Sequence, residues 1–224
     1  MSKRATSGKP VINLYEDDHY AAFFKQAGLL AVAADRGGEH SLCDVVNSQF
    51  RGRPDTPQGM KLHPCHRIDR DTSGIMVFAK GQTSRDTLMD MFRNKAVKKT
   101  YVAFVHGRIK LRRGEISSPI REGNELKPSL TRYVVLEQRT RYAIVEIHPE
   151  TGRTNQIRIH FKEIGHPLVG ENKFAFRKDF ALKFKRTALH AAGLEFVHPV
   201  TGVEVKITAQ LSTDMRNFLE RNRQ

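Results

Sequence analysis

The segment that gathers the most potentially reactive side chains is HRIDRDTSG, residues 66–74, which runs into the apolar residues 75–79. Its central Asp69 lies between Arg67 and Arg70, and nearby positive charge favours the ionised form of a carboxylate. A carboxylate that stays anionic and poorly solvated is suited to nucleophilic catalysis. The same string is also compatible with a solvated turn that carries surface ion pairs, so the residue types leave both interpretations open.

A second segment places Lys98, Lys99 and Thr100 directly before Tyr101. A tyrosine ring can stack on an unpaired base while neighbouring lysines hold phosphate, which is how many proteins bind single-stranded RNA. Tyrosine is equally at home in a half-buried strand, where it packs against the core. The segment is therefore a candidate for base binding but does not establish it.

The third segment is TGRTNQIRIH, residues 151–160, which enters a predicted helix. Arg158 lies near the start of that helix, beside backbone N–H groups that have no partner within the helix, and such a corner suits a carboxylate or a phosphate. In the alternative interpretation Arg158 is a surface residue and His160 is a structural histidine held by hydrogen bonds.

These three segments need a scaffold, and the sequence predicts mainly strands. Short runs rich in β-branched and aromatic residues follow one another with few helices between them, which favours a mixed, mainly antiparallel sheet. In the run 142–149, Ala143, Val145 and Ile147 occupy every second position, and they are predicted to point inward. The predicted strands are 74–80, 99–107, 129–137, 142–149 and 203–211.

Helix signals are fewer, and together with the strands they give an α+β fold. Ser41 with Asp44 and Thr83 with Asp86 resemble capping boxes, in which the two side chains satisfy free backbone N–H groups at a helix start. Apolar spacings of three and four residues support each helix. The predicted helices are one beginning near Ser41, one near 84–95, one over 155–164 and a C-terminal one that carries Met215, Phe218 and Leu219.

Composition limits the possible partners. The formal net charge of +14 is typical of proteins that bind polyanions, and nucleic acid is the leading candidate, although solubility or an anionic membrane surface would also account for it. No apolar run approaches the roughly 20 residues that span a bilayer, so a cytoplasmic location without membrane association is expected. Cys43 and Cys65 fit neither a disulfide framework nor a zinc pattern. We expect a flexible basic tail at 1–10 and one domain over 11–224. We also expect a monomer without an obligate protein partner.

HRIDRDTSG resembles the catalytic signature of the RluA-type pseudouridine synthases, which modify ribosomal or transfer RNA: His, Arg, an apolar residue and Asp, two variable residues, then Thr-Ser-Gly. Other parts of the chain are similar to further segments of that family, in the family's order. They are LYEDDHYAAFFKQAGLL (14–30), KKTYVAFVHG (98–107), TGRTNQIRIH (151–160), EIGHPLVG (163–170) and ALHAAGLEFVHP (188–199).

The resemblance implies a pseudouridine-synthase-like catalytic domain with a cleft across its sheet and no metal or cofactor. It makes Asp69 the nucleophile, Tyr101 the residue that stacks on the target base near the proton lost from C5, and Arg158 the salt-bridge partner that orients Asp69. Arg67 becomes a candidate for filling the gap left by the extruded nucleotide. The expected RNA-binding residues are Arg67, Arg70, Lys98, Lys99, Arg153, Lys183, Lys185 and Arg186.

The last three of these belong to FAFRKDFALKFKR (174–186), where cations and aromatic residues interleave as on single-strand binding surfaces. A surface loop with buried phenylalanines fits the same segment. The chain also departs from the family pattern at three positions. Asn155 replaces a usual His, Gln26 replaces the proline of the KPAG motif, and Glu171 replaces a common Asp, and none of these is assigned a role in the chemistry.

Two other function classes fit parts of the sequence. Asp69 and Asp71 would be roughly 7 Å apart at Cα on an extended segment, a separation within reach of glycoside or nucleoside hydrolases. That reading leaves the segments of Tyr101 and Arg158 unexplained, and release of free uracil from RNA would support it. A non-catalytic RNA-binding module is the other class, and the intact Asp69, Tyr101 and Arg158 argue against it.

Overall fold

The computed structural model describes residues 11–33, 40–51, 53, 59–175 and 182–223. Within them lie twelve strands and four helices. The strands are β1 Asn13–Glu16, β2 Tyr20–Lys25, β3 Leu62–Pro64, β4 Ser73–Lys80, β5 Lys98–His106, β6 Arg113–Ile116, β7 Ile120–Glu122, β8 Glu125–Lys127, β9 Thr131–Gln138, β10 Tyr142–Pro149, β11 Leu189–Val197 and β12 Glu204–Thr208. The helices are α1 Leu42–Arg51, α2 Gln82–Arg93, α3 Gln156–Glu163 and α4 Thr213–Arg221.

Ten of these strands form one sheet in the described part of the chain, and β7 and β8 form a separate hairpin. The main path of the sheet runs β1-β2-β4-β11-β5-β10-β9-β6, with β3 beside β4 and β12 beside β11. Each pairing in it is antiparallel except that of β4 with β11, where Ser73 lies opposite His190 and Gly74 opposite Ala191. The sheet is therefore mixed and mainly antiparallel, as the run of strands in the sequence predicts.

The parallel pairing explains the glycine that ends HRIDRDTSG. Gly74 has φ of 116°, a backbone conformation that favours glycine, and a Cβ built on it would lie 2.1 Å from the carbonyl oxygen of Ala191. No larger residue fits without moving one of the two strands. Gly74 thus allows β4 to approach β11 directly after the turn that carries Asp69.

The helices pack on both faces of the sheet. Along β4, Ile75 and Val77 share a buried cluster with Leu88 of α2, whereas Met76 and Phe78 share one with α1. In the other half of the sheet, α3 packs Ile157 and Phe161 against β5, β9 and β10, and α4 packs Met215 and Phe218 against the other sides of β5 and β10. Tyr101 contacts both the cluster under α1 and the cluster under α3, so it lies where the two meet.

The five predicted strands and four predicted helices are present in the structure, with ends displaced by up to three residues. The other seven strands that the structure describes were not predicted from the residue patterns. The Ser41–Asp44 capping box is confirmed, because the Ser41 N–H donates to the Asp44 carboxylate at 2.9 Å and the Asp44 N–H donates to the Ser41 hydroxyl at 3.3 Å. The proposed tail 1–10 and residues 176–181 of the basic-aromatic segment lie outside the described residues.

The capping box at Thr83 and Asp86 is wrong. Helix α2 begins at Gln82, its N-cap is Gly81, and no side chain caps it. Gly81 has φ of 111°, which lets the chain leave β4 and turn at once into the helix. Thr83 and Asp86 are consequently inside the first turns, where the Asp86 carboxylate accepts from the Gln82 side chain at 3.0 Å instead.

Candidate active site

A cavity of about 490 Å³ opens between the Asp69 turn, the start of β5, the end of α2 and the start of α3. All three segments singled out in the sequence border it, and Asp69, Tyr101 and Arg158 line the same space. The basic residues that line it are Arg67, Arg93, Lys95, Lys99, Arg153 and Arg158, against the carboxylates of Asp69 and Glu150. The cavity is therefore positively charged around a small number of carboxylates.

Asp69 projects from a tight turn, closed by a hydrogen bond from the Thr72 N–H to the Asp69 carbonyl at 3.0 Å. Its side chain is about one-third exposed, and it lines the cavity. On the two sides of the turn, Ile68 is buried in the core and Thr72 and Ser73 are almost completely buried. The apolar and Thr-Ser positions of the motif thus fix the turn, and Asp69 is left accessible.

His66, at the start of the motif, has a structural role. Its Nε2 accepts a hydrogen bond from the Val77 N–H at 3.0 Å, and its ring packs against that of Phe92 in a tilted arrangement with centroids 4.8 Å apart. Burial, with Lys99 nearby, lowers the pKa of His66 to about 3, so the imidazole is neutral and its Nε2 lone pair is available to the Val77 N–H. His66 therefore ties the segment before Asp69 to β4.

Two buried basic side chains hold the backbone of the turn itself. The Lys25 side chain is fully buried, which lowers its pKa to about 7, and its Nζ donates to the carbonyl oxygens of Gln26, Leu29 and Arg70, at 3.1, 2.7 and 2.8 Å. The Arg186 guanidinium donates to the next carbonyl along the turn, that of Asp71, at 2.8 Å. The carbonyls of two consecutive residues after Asp69 are thus fixed by side chains from distant parts of the chain.

Removing the Lys25 amino group should destabilise the whole domain. Lys25→Met fills a similar volume but removes three hydrogen bonds made by a fully buried side chain, and we expect the free energy of unfolding to fall by about 3 kcal/mol. Urea denaturation followed by circular dichroism measures it. The control Lys110→Met removes an exposed ammonium and should change stability by less than about 0.5 kcal/mol. A loss below about 1 kcal/mol for Lys25→Met would contradict this role.

Tyr101 is half-buried at the floor of the cavity, on β5. Among the described residues its hydroxyl has no hydrogen-bond partner, while its ring packs against the two clusters that meet there. Burial and the nearby Asp69 carboxylate both raise the pKa of Tyr101, so it carries a neutral phenol at physiological pH. A fixed neutral ring beside a carboxylate provides a surface on which a planar base can stack.

The Arg158 guanidinium lies between two carboxylates but is held by only one of them. Its Nε and Nη2 donate to the two carboxylate oxygens of Glu171, at 2.7 and 2.8 Å. Its Nη1 donates to the Asn155 side-chain oxygen at 2.7 Å and lies 3.6 Å from the Asp69 carboxylate. The ion pair with Asp69 is present, but the two parallel hydrogen bonds of the fork go to Glu171.

Glu171 was not assigned a role from the sequence, and the structure makes it the anchor of this group. Its side chain is 1% exposed, and one of its oxygens also accepts from the backbone N–H groups of Asn172, Lys173 and Phe174. Burial opposes ionisation, but the hydrogen bonds from Arg158 and the backbone prevail and lower the pKa of Glu171. The signal available in the sequence was its place after EIGHPLVG, where the resembling family commonly has another acid.

Asn155 explains how the chain turns into α3 beside this group. It is the N-cap of the helix and has φ of 56°, a left-handed conformation that Asn adopts more readily than most residues. Its side-chain oxygen is thereby placed to accept from Arg158. The departure from the family's His at this position is accommodated by a residue that suits the backbone and supports Arg158.

The residues predicted to bind RNA occupy different places. Arg67 is exposed at the cavity, and Lys99 borders it with its ammonium 3.2 Å from the Thr151 carbonyl. Arg153 also borders the cavity, where its Nε donates to the Pro128 carbonyl. Arg70 and Lys98 are exposed but do not border it. The structure therefore brings three of these five together with Asp69.

In the segment 174–186, the residues that the structure describes, among them Lys183, Lys185 and Arg186, do not border the cavity. Lys183 and Lys185 are exposed, but Arg186 is buried and the placement of its guanidinium does not fit RNA contact. Its Nε and Nη2 hold the Asp214 carboxylate at 2.7 and 3.0 Å, and its Nη1 binds backbone carbonyls. A guanidinium whose donors are used inside the fold is not available to phosphate, so Arg186 positions the turn.

The described residues meet neither the requirements of a metal site nor those of a membrane-spanning helix. Within the described residues, no group of three or more His, Cys, Asp or Glu side chains is arranged to hold a metal ion. In the same part of the chain, no helix combines the length and apolar character needed to cross a bilayer.

Comparison with known proteins identifies the family. Residues 19–163 match the family model described as RNA pseudouridylate synthase. The chain is 34% identical to the ribosomal large subunit pseudouridine synthase C of Vibrio cholerae, over 94% of this chain and 69% of that protein. It is 31% identical to the uncharacterized RNA pseudouridine synthase YhcT of Bacillus subtilis, over 92% of this chain and 70% of that protein.

The fold agrees with that result. Human RNA pseudouridylate synthase domain containing 4 superposes with a TM-score of 0.80 at 22% identity, over 94% of this chain and 92% of that one. Human RNA pseudouridylate synthase domain containing 1 superposes with a TM-score of 0.71 at 23% identity, over 100% and 98% of the two chains. Both similarities confirm the fold predicted from the resemblance. The chain belongs to the RluA-type RNA pseudouridine synthases and is an RNA-modifying isomerase.

Proposed function

We propose that this chain isomerises specific uridines in ribosomal RNA to pseudouridine, with Asp69 as the nucleophile. The observation that carries the proposal is the convergence of Asp69, Tyr101 and Arg158 on one positively charged cavity. Ribosomal RNA is the proposed substrate class because similar proteins of Vibrio cholerae and Vibrio parahaemolyticus are named as ribosomal large subunit pseudouridine synthases. Transfer RNA is the second class that the sequence resemblance allows.

The reaction breaks one bond and forms another within the same nucleotide. The Asp69 carboxylate attacks C1′ of the target uridine, the N1–C1′ bond breaks, and the uracil leaves with its bonding pair. The uracil turns over within the cavity, and C5 bonds to C1′ as the bond from C1′ to the Asp69 oxygen breaks and restores the carboxylate. The proton on C5 is then lost to solvent and N1 takes up a proton from solvent, which restores the aromatic ring. Substrate and product are isomers, so the step requires neither an oxidant nor a reductant.

The other side chains prepare this step. Tyr101 offers a fixed ring against which the uracil stacks in both orientations, and its raised pKa keeps the ring neutral while it does so. Arg158 places a positive charge 3.6 Å from Asp69 and so favours the carboxylate form required of a nucleophile. Because the target base must leave its helix at a cost of a few kcal/mol, the basic residues around the cavity have to supply binding energy through phosphate contacts.

Incubation of the purified protein with protein-free large-subunit ribosomal RNA should create pseudouridine at one or a few sites. The side chains of the proposed step need no metal, so formation should persist in EDTA once monovalent salt supports the RNA fold. Carbodiimide modification followed by reverse transcription maps the product, with bulk transfer RNA as the comparison substrate. Modification confined to transfer RNA would contradict the substrate class. Release of free uracil, or no product in either RNA, would contradict the reaction.

A further inference from the structure

Helix α2 ends in a backbone conformation that its sequence does not favour. The Lys95 N–H donates to the Phe92 carbonyl at 3.3 Å and the Ala96 N–H donates to the Met91 carbonyl at 2.9 Å, with Asn94 as the C-cap. This pair of bonds is the Schellman motif, whose left-handed position is usually occupied by glycine. Here that position is Lys95, with φ of 59°. A lysine there accepts a steric cost that glycine would avoid.

The left-handed conformation of Lys95 occurs beside the candidate active site. Among the described residues, Lys95 and Asn155 are the two non-glycine residues with positive φ, and both border the cavity that contains Asp69. Asn155 suits its conformation and has a side-chain contact there, with Arg158. The residue type of Lys95 does not favour this conformation in the same way, because a lysine side chain does not stabilise the left-handed region through hydrogen bonds to its own backbone.

The ammonium of Lys95 also lacks a protein partner. It is exposed at the rim of the cavity and, within the part of the chain that the structure describes, it makes no ion pair or hydrogen bond. The neighbouring Arg93 differs, since its Nη1 lies 2.8 Å from the Asp90 carboxylate. The left-handed turn therefore presents an unpaired positive charge at the entrance to the site, at a cost to the helix end.

We propose that Lys95 contacts a phosphate of the RNA next to the target nucleotide, and that this contact is the reason a lysine occupies the left-handed position. The proposal rests on the proposed function, since it takes RNA as the ligand of the cavity. A compact ammonium on a flexible stem suits a single phosphate rather than the edge of a base. The residue follows α2 and precedes β5, which places the contact where the end of α2 borders the cavity.

Lys95→Gly should relieve the strain of the left-handed backbone and remove the proposed phosphate contact, so RNA binding should weaken without a loss of stability. Glycine relieves the backbone, so the melting temperature should stay the same or rise by up to about 4 °C. Loss of one phosphate contact should weaken binding of fluorescein-labelled oligouridylate about fivefold near 0.1 M salt, and should lower the slope of log K against log[salt] by about 0.7. Lys95→Asn, which also tolerates the left-handed region, should weaken binding to the same extent.

The matched control is Lys206→Ala, which removes the same charge from an exposed residue of β12 that does not border the cavity. It should leave both the affinity and the salt slope close to those of the unaltered protein. Affinity for Lys95→Gly and Lys95→Asn equal to that of this control, or a melting temperature lowered by glycine, would overturn the proposal. Lys95-dependent binding without pseudouridine formation by the unaltered protein would instead contradict the proposed function and leave the contact standing.

Discussion

Asp69→Asn should lower the single-turnover rate of pseudouridine formation by about four orders of magnitude or more. The amide has nearly the same shape as the carboxylate but is a very weak nucleophile, so C1′ is no longer attacked. RNA affinity should be retained or slightly increased, since one of the two carboxylates that border a basic cavity is neutralised. The rate is measured with enzyme in excess over RNA, and the affinity by filter binding.

Asp71→Asn is the matched control for that substitution. Asp71 lies two residues further along the same turn, and it is its backbone carbonyl, not its carboxylate, that Arg186 holds. Its side chain does not border the cavity, so we expect a rate within about tenfold of the unaltered protein. A rate for Asp69→Asn above one-tenth of the unaltered rate would remove Asp69 as the nucleophile. Equal losses for both variants would instead favour a carboxylate pair.

Much of the fold and the location of the site could be predicted from the sequence because the determining signals are local. The alternation in 142–149 and the apolar run 74–80 follow directly from the periodicity of strands. HRIDRDTSG also combines scaffold and chemistry in one short segment. Its Ile68, Thr72 and Gly74 build the turn, and this leaves Asp69 as the carboxylate that the turn presents to the cavity.

The supporting residues could not be predicted in the same way, because their partners are distant in sequence. Lys25 holds the carbonyl of Arg70, 45 residues away, and Arg186 holds that of Asp71, 115 residues away. A basic residue in a basic, aromatic segment looks the same in sequence whether it is exposed or buried. Arg186 was therefore predicted to bind RNA, although its side chain serves the interior of the fold.

Arg158 is held by more partners than the resemblance implies. The resemblance makes it the salt-bridge partner that orients Asp69. In the structure, the two parallel hydrogen bonds of the Arg158 guanidinium go to Glu171, which itself accepts hydrogen bonds from three backbone N–H groups. Glu171 thus sets the direction of the guanidinium, and Asp69 is contacted by the nitrogen that remains, together with Asn155.

Glu171→Asp keeps the negative charge and tests whether Glu171 sets the direction of the Arg158 guanidinium. The shorter side chain keeps an acid at this position, where the resembling family commonly has Asp, so the rate should fall by no more than about tenfold. Glu171→Gln retains the length but cannot offer two anionic oxygens, which leaves the buried guanidinium poorly compensated. We expect it to lower both the free energy of unfolding, by about 2–4 kcal/mol, and the rate. A large loss for Glu171→Gln with a small loss for Glu171→Asp would show that Glu171 holds Arg158 through its negative charge.

Arg158→Lys should then lower the single-turnover rate by about a hundredfold or more while RNA affinity changes by less than about threefold. A lysine keeps the positive charge, but its single ammonium cannot hold both oxygens of Glu171 and still face Asp69 and Asn155. Because the loss is one of orientation, it should appear in the rate at saturating enzyme and not in binding. Weakened RNA binding with an unchanged rate at saturation would instead make Arg158 a phosphate contact, and the pairing with Asp69 would have no part in catalysis.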